Sequence, residues 1–92
     1  MSSPIIISEF LGTFILLAGI LFTGNALYIA AAFLAAITIA SVSGSHLNPA
    51  VSIAMVAKGS LKLAQLPQYI LPQIAGALFA LYVYQQVKPS AK

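Results

Sequence analysis

Cysteine, tryptophan, aspartate and arginine are absent from this 92-residue sequence, and charge is scarce: four lysines and one glutamate. Without cysteine, neither a disulfide nor thiol chemistry is possible. One glutamate and one histidine do not assemble a general acid–base pair or a metal cluster within one copy, so we expect no enzyme, no metal and no cofactor. The net charge of +3 comes from scattered lysines, which excludes nucleic acid as a partner.

Apolar residues dominate instead: 61% of the sequence is hydrophobic, 5% is charged, and the mean hydropathy is +1.03. Soluble chains carry about a quarter charged residues, whereas no formal charge occurs here from Phe10 to Ala57. Because a spanning helix needs about 20 apolar residues, we predict an integral, multi-pass membrane protein with a single domain over residues 1–92. The segment Met1–Pro4 has no basic run, so we expect no cleaved signal peptide.

Three apolar runs predict transmembrane helices over about residues 5–23, 26–43 and 66–87. The turn-forming cluster Thr23-Gly24-Asn25 separates the first two. Small residues recur at every fourth position of the second run and predict a close helix contact: Ala32, Ala36, Ala40 and Gly44.

A polar, turn-rich stretch interrupts this pattern before the last run. Asn48 is a favoured N-cap residue and Pro49 a favoured first helical residue. The helix they predict ends at Lys58-Gly59 and is about 15 Å long, half the bilayer. We therefore predict a re-entrant loop and half-helix over about residues 44–58.

Three segments in this order resemble one known family, the aquaporin and glycerol-facilitator family of major intrinsic proteins. Glu9–Thr13 resembles its first-helix signature, Ser43–Ser52 its first pore loop with the Asn-Pro-Ala motif, and Tyr69–Ala77 its third helix. Family members carry two such repeats, inverted relative to each other, and this chain resembles the N-terminal one. The resemblance thus implies an all-α half-aquaporin with three transmembrane helices and one re-entrant half-helix.

The resemblance also implies a function: a passive channel subunit for water, glycerol or ammonia-like neutral solutes. Because one repeat leaves re-entrant backbone open to lipid, we expect an antiparallel homodimer. The sequence leaves open whether such dimers form a higher oligomer. Lys58 and Lys62 are expected on one side of the membrane and Lys88 and Lys92 on the other, which favours dual topology. The alternative is a non-conducting regulatory subunit that pairs with another channel chain.

Site residues follow from the resemblance. It implies a pore motif at Asn48, Pro49 and Ala50, and pore-loop lining at Gly44, Ser45 and His46. Repeat equivalence places a selectivity constriction, without the usual arginine, at Tyr28, Ala36, Ser45 and Val51. Helix packing is expected at Gly12, Gln73 and Gly76.

Two positions have alternatives that the sequence leaves open. Glu9 is expected to support the pore loop by accepting hydrogen bonds from loop backbone, and the alternative is a hydrated carboxylate near a helix N-terminus. His46 is expected to line the pore wall, and the alternative is a loop histidine that is satisfied by neighbouring carbonyls.

Overall fold

The structure, a computed structural model, describes residues 2–88 and contains no β-strand within them. Its four α-helices are α1 (Ser3–Thr23), α2 (Ala26–Ile39), α3 (Pro49–Lys58) and α4 (Pro67–Val87). Two 3₁₀ turns, Ala40–Ser43 and Leu63–Gln65, extend α2 and precede α4. Three segments are long and apolar enough to cross a membrane: Ser3–Thr23, Ala26–Ser43 and Leu63–Val87. The expected all-α membrane architecture is confirmed. Lys92 lies outside the described residues.

Local capping sets the ends of the first two helices. The Ser2 side chain accepts a hydrogen bond from the N–H of Ile5, so α1 begins at Ser3, two residues before the apolar run. Gly24 ends α1 in the left-handed conformation, with φ of 58°. Asn25 then caps α2 by accepting hydrogen bonds from the N–H groups of Leu27 and Tyr28.

The second helix changes geometry before the loop. A single helix was expected up to Ser43, but the α-helix ends at Ile39 and continues as a 3₁₀ turn. The Ser43 hydroxyl lies 2.8 Å from the Ala40 carbonyl, and the Ser45 hydroxyl donates to the Ile37 carbonyl at 2.6 Å. The Ser45 bond ties the start of the loop to the carbonyl of Ile37 in the last turn of α2.

Helix α1 lies between α2 and α4, which contact it along most of its length. It runs parallel to α4: at one end the Ser2 N–H donates to Gln68 Oε1 at 2.8 Å. At the other end the rings of Phe22 and Tyr84 lie 5.2 Å apart. The N-termini of α1 and α4 therefore lie on one side of the membrane, together with Lys58 at the end of α3.

Glycine residues allow the backbone of α1 to lie close to the backbones of its neighbouring helices. A Cβ atom on Gly76 of α4 would lie 2.5 Å from the carbonyl oxygen of Phe10. On Gly12 of α1 a Cβ atom would lie 2.6 Å from the Leu47 side chain and 3.2 Å from the Ala36 carbonyl oxygen. At Gly76 the obstacle is backbone, so this contact requires the absence of a side chain, whereas at Gly12 the end of the Leu47 side chain would have to move. Without a hydrophobic force between helices in lipid, such close packing holds the bundle together.

We expect Gly76→Val to push α1 and α4 apart and to lower the free energy of unfolding by about 1–3 kcal/mol, the usual cost of overpacking. Thermal unfolding of the purified chain in detergent measures this. Ala75→Val is the matched control, because Ala75 is the preceding residue of α4 and is exposed. Equal stability of the two variants would contradict the close α1–α4 contact.

Candidate functional site

The centre of the described structure is polar. Its largest fully buried side chains are Gln73, Glu9 and Ser52. They come from α4, α1 and α3, so three helices place hydrogen-bonding groups at one point. A buried ionisable residue within a membrane span is costly and by default indicates a functional site.

The Glu9 carboxylate has no exposed surface and accepts four hydrogen bonds. Its Oε1 atom accepts from the N–H of Leu47 at 2.8 Å and from Gln73 Nε2 at 2.9 Å. Its Oε2 atom accepts from the N–H of His46 at 3.2 Å and from the Ser43 hydroxyl. An ionised carboxylate is an acceptor only, and this donor set suits that form. The contacts join α1 to the loop and to α4.

The loop between α2 and α3 has an unusual backbone. Gly44 has a φ of 93°, and the non-glycine residues Ser45 and Leu47 have φ values of 56° and 58°. The left-handed region is unfavourable for a side chain such as leucine, and surrounding contacts must hold it. Here the Glu9 carboxylate binds the N–H of Leu47, whose side chain is buried against Gly12. Because Gly12 lies near the middle of α1, the loop reaches mid-membrane depth.

A second chain of contacts starts from Gln73. Its Nε2 group donates to the Ser52 hydroxyl at 3.0 Å, and Ser52 Oγ lies 2.9 Å from His46 Nδ1. The His46 ring stacks on Tyr69 with 4.3 Å between centroids. Tyr69 in turn donates its hydroxyl to the Ser43 carbonyl at 3.1 Å. The half-buried His46 is thus fixed by side chains of α3 and α4 beside the loop.

Asn48 caps the half-helix α3 at mid-membrane depth. Its Oδ1 atom accepts the N–H of Ala50 at 2.8 Å, and Pro49 is the first helical residue. The Asn48 Nδ2 group, on an exposed residue, has no partner among residues 2–88. The geometry leaves a donor and the positive end of a helix dipole at the tip.

Several acceptors beside this tip also lack a partner. Within the described part of the chain, no donor reaches the carbonyl oxygens of Gly44, Ser45 and His46. The buried atoms Thr13 Oγ1 and Gln73 Oε1 likewise have no hydrogen bond there. Both residues line a cavity of about 390 Å³ next to Asn48. Unpaired buried polar atoms are rare in native structures and call for water or another protein group.

The four residues expected at a selectivity constriction do not meet within one copy. Tyr28 is exposed in the first turn of α2, whereas Ser45 binds that helix at Ile37, about 14 Å further along its axis. Val51 is half-buried on α3. Ala36 is completely buried, and its backbone contacts Gly12. Within one copy Ala36 thus belongs to the α1–α2 contact, and its place at a constriction stays a prediction.

Sequence reasoning missed the side chains that complete the site, Ser43, Ser52, Tyr69 and Thr13. It assigned Gln73 to packing alone, whereas its amide donates to both Glu9 and Ser52. The available signal was a glutamine in the first third of an uncharged span, where a polar side chain needs a partner. Among residues 2–88 there is no group of three or more His, Cys, Asp or Glu side chains that could hold a metal ion.

Comparison with known proteins relates this chain to one family. A profile of the family described as Major intrinsic protein matches residues 20–92. The chain is 38% identical over 84 residues to Glycerol uptake facilitator protein-like 6 of Lactiplantibacillus plantarum, covering 80% of this chain and 39% of the relative. It is 38% identical over 87 residues to Aquaporin-9 of Homo sapiens, covering 77% of this chain and 30% of the relative.

A third relative, Glycerol uptake facilitator protein of Streptococcus pneumoniae, is 47% identical over 49 residues, which cover 52% of this chain and 21% of the relative. The chain thus spans well under half the length of these curated relatives. No solved structure matches it significantly. The profile match and the two long alignments confirm the resemblance seen in the sequence: this integral, multi-pass membrane protein belongs to the major intrinsic protein family.

Proposed function

We propose that the chain forms a passive channel for water or small neutral solutes such as glycerol, enclosed by two copies inserted in opposite orientations. Proteins of the major intrinsic protein family are passive channels and not enzymes. The observation that carries the proposal is a row of polar groups at mid-membrane depth that have no partner among residues 2–88: Asn48 Nδ2 and the carbonyls of Gly44, Ser45 and His46.

This row suits a neutral hydrogen-bonding solute. Successive carbonyls offer acceptors, and Asn48 offers a donor at the point where α3 begins. A solute with hydroxyl groups, or a water molecule, replaces the hydrogen bonds it makes in bulk water with hydrogen bonds to these carbonyls and to Asn48. The positive end of the α3 dipole points the same way and opposes a cation or a proton.

A second copy supplies what this face lacks. Irregular backbone at membrane depth is tolerated only where protein buries it or where it lines a water-filled cavity. Within residues 2–88 of one copy, Asn48 is exposed, and Thr13 Oγ1 and Gln73 Oε1 beside it have no partner. An inverted second copy would cover this face by a two-fold axis near Asn48, as the inverted repeats of transporters do within one chain.

The distribution of lysines agrees with insertion in both orientations. Lys58 and Lys62 lie at the end of the bundle where α4 begins, and Lys88 follows the opposite end of α4. A topology signal depends on an excess of Lys and Arg on one side. Two cations against one, with Lys92 beyond the described residues, give a weak signal.

Selectivity in this arrangement rests on uncharged groups. Tyr28 of one copy would approach Ser45 and Val51 of the other, because an inverted copy reverses the axial order that separates them within one chain. The sequence has no arginine, so the constriction carries no fixed cation from that residue type. We expect a wider and less polar constriction that passes glycerol-sized solutes.

We expect Asn48→Asp to lower solute flux at least about tenfold, because it removes the Nδ2 donor and places an anion at the constriction while aspartate remains a good N-cap. Stopped-flow swelling of proteoliposomes containing only the purified chain measures this. Asn25→Asp is the matched control, because Asn25 caps α2 through its Oδ1 atom in the same way.

Unchanged flux in Asn48→Asp would contradict the assignment of Asn48 to the pore. Absence of flux in the wild-type chain itself, together with normal folding, would instead favour the non-conducting regulatory subunit.

We expect Glu9→Gln to lower the free energy of unfolding by about 3 kcal/mol. One glutamine oxygen replaces two carboxylate oxygens, which leaves a loop N–H group, that of His46 or Leu47, without an acceptor. Flux should fall as the loop loses its fixed geometry. Thr23→Val is the control on the same helix, where the exposed hydroxyl donates to the Gly19 carbonyl and accepts from the N–H of Asn25, away from the pore loop. A Glu9→Gln variant as stable and as conductive as Thr23→Val would show that the carboxylate does not hold the loop.

A further inference from the structure

Three connected cavities lie where α1 and α4 begin, away from the candidate pore loop. An apolar cavity of about 450 Å³ lies between the two helices and includes Ile7, Leu11 and Leu71. A second apolar cavity shares Pro67 and Leu71 with it. A third, more polar cavity shares Gln68 with the first and lies at the helix starts. We call these three cavities together the boundary groove.

The boundary groove faces the bilayer. Ile7 and Leu11 lie two residues to either side of Glu9, on the opposite face of α1 because of the helical period. They are 56% and 41% exposed, whereas Glu9 is completely buried towards the loop. Leu71, between the two apolar cavities, is 60% exposed. The groove therefore presents two adjacent apolar cavities on the lipid-facing surface of the bundle.

A buried polar group lies where the apolar and polar cavities meet. Gln68 is only 6% exposed and contributes to both cavities. Its Oε1 atom accepts the N–H of Ser2 at 2.8 Å, so its amide orientation is fixed. The Nε2 group has no hydrogen-bond partner among the described residues. It is a donor available to an acceptor in the groove.

The surrounding charge is positive. Lys62 is exposed and lies two residues before Ala64, which lines the polar cavity. Lys58 lies at the same end of the bundle, at the end of α3. Glu9 is the only acidic side chain of the sequence and is buried elsewhere. The polar cavity thus has cations nearby and no carboxylate to repel an anion.

We propose that the boundary groove binds one anionic phospholipid, with the headgroup phosphate at Gln68 Nε2 and Lys62 and the two acyl chains in the apolar cavities on either side of Leu71. A phosphate oxygen supplies the acceptor that Gln68 lacks, and lysine holds phosphate as a point charge. Basic side chains at the membrane surface add to the affinity for anionic lipid. This site lies on the outer face of α1 and α4 and does not depend on the pore.

The test is a titration of the purified chain in detergent with phosphatidylglycerol or phosphatidylcholine, read out by native mass spectrometry and by thermal unfolding. We expect phosphatidylglycerol to bind tighter and to raise the melting temperature. Lys62→Gln should weaken it about fivefold, the usual contribution of one surface lysine. Lys88→Gln is the matched control, because it removes the same charge at the opposite end of α4 and should leave binding unchanged.

Gln68→Leu is the second variant and should weaken the binding of both lipids, because both carry the phosphate oxygen that Gln68 Nε2 binds, whereas Lys62→Gln should lower the preference for phosphatidylglycerol. Inorganic phosphate alone should neither bind nor stabilise. An equal loss of phosphatidylglycerol affinity in Lys62→Gln and Lys88→Gln would indicate attraction by the net charge of the protein and would overturn the proposed site. Stabilisation by inorganic phosphate, or equal binding of the two lipids, would also overturn the proposed lipid site. The same holds if another copy of the chain covers the groove and lipid has no effect.

Discussion

The structure depends on one buried carboxylate. A loop that re-enters a membrane must satisfy its backbone N–H groups, because lipid offers no partner. Glu9 meets this requirement for His46 and Leu47 and also accepts from Ser43 and Gln73. Four donors compensate the cost of burying its charge, which an isolated carboxylate could not bear. The left-handed backbone at Leu47 and the position of the half-helix follow from these contacts.

Close helix packing makes this burial possible. Gly12 admits the Leu47 side chain on the loop side of α1, and Gly76 brings α4 to backbone distance, so that Gln73 reaches Glu9. The same approach excludes water from the carboxylate. Stability and the loop geometry are therefore coupled: a side chain added at either glycine moves the donors away from the one acceptor that holds them.

Much of this fold could be predicted from the sequence. Apolar runs of spanning length and near absence of charge predicted the three spanning helices, and Asn48-Pro49 predicted a helix start by capping chemistry alone. The sequence does not show which helix each side chain faces in the folded bundle. The stripe of small residues predicted a close helix contact but not its partner, and at Ala36 that partner is Gly12 of α1. Ser52 of α3 converges with Gln73 and Tyr69 of α4, and the sequence does not reveal that these two helices meet there. The roles proposed for Asn48, Tyr28 and Val51 remain predictions.

Within the part of the chain that the structure describes, the loop leaves polar groups unpaired on one face of the bundle, and we propose that an inverted second copy covers that face. Spin-label distances between copies test this most directly, and the absence of native cysteine makes single labels at Ser60 or Lys88 unambiguous. These residues lie near opposite ends of the bundle. With inverted copies, a label at Ser60 of one copy lies closer to a label at Lys88 of the other copy than to a label at Ser60 of that copy. The two Ser60 positions are then separated by about 30 Å of hydrocarbon. Shorter Ser60–Ser60 than Ser60–Lys88 distances would mean parallel copies and would contradict the proposal.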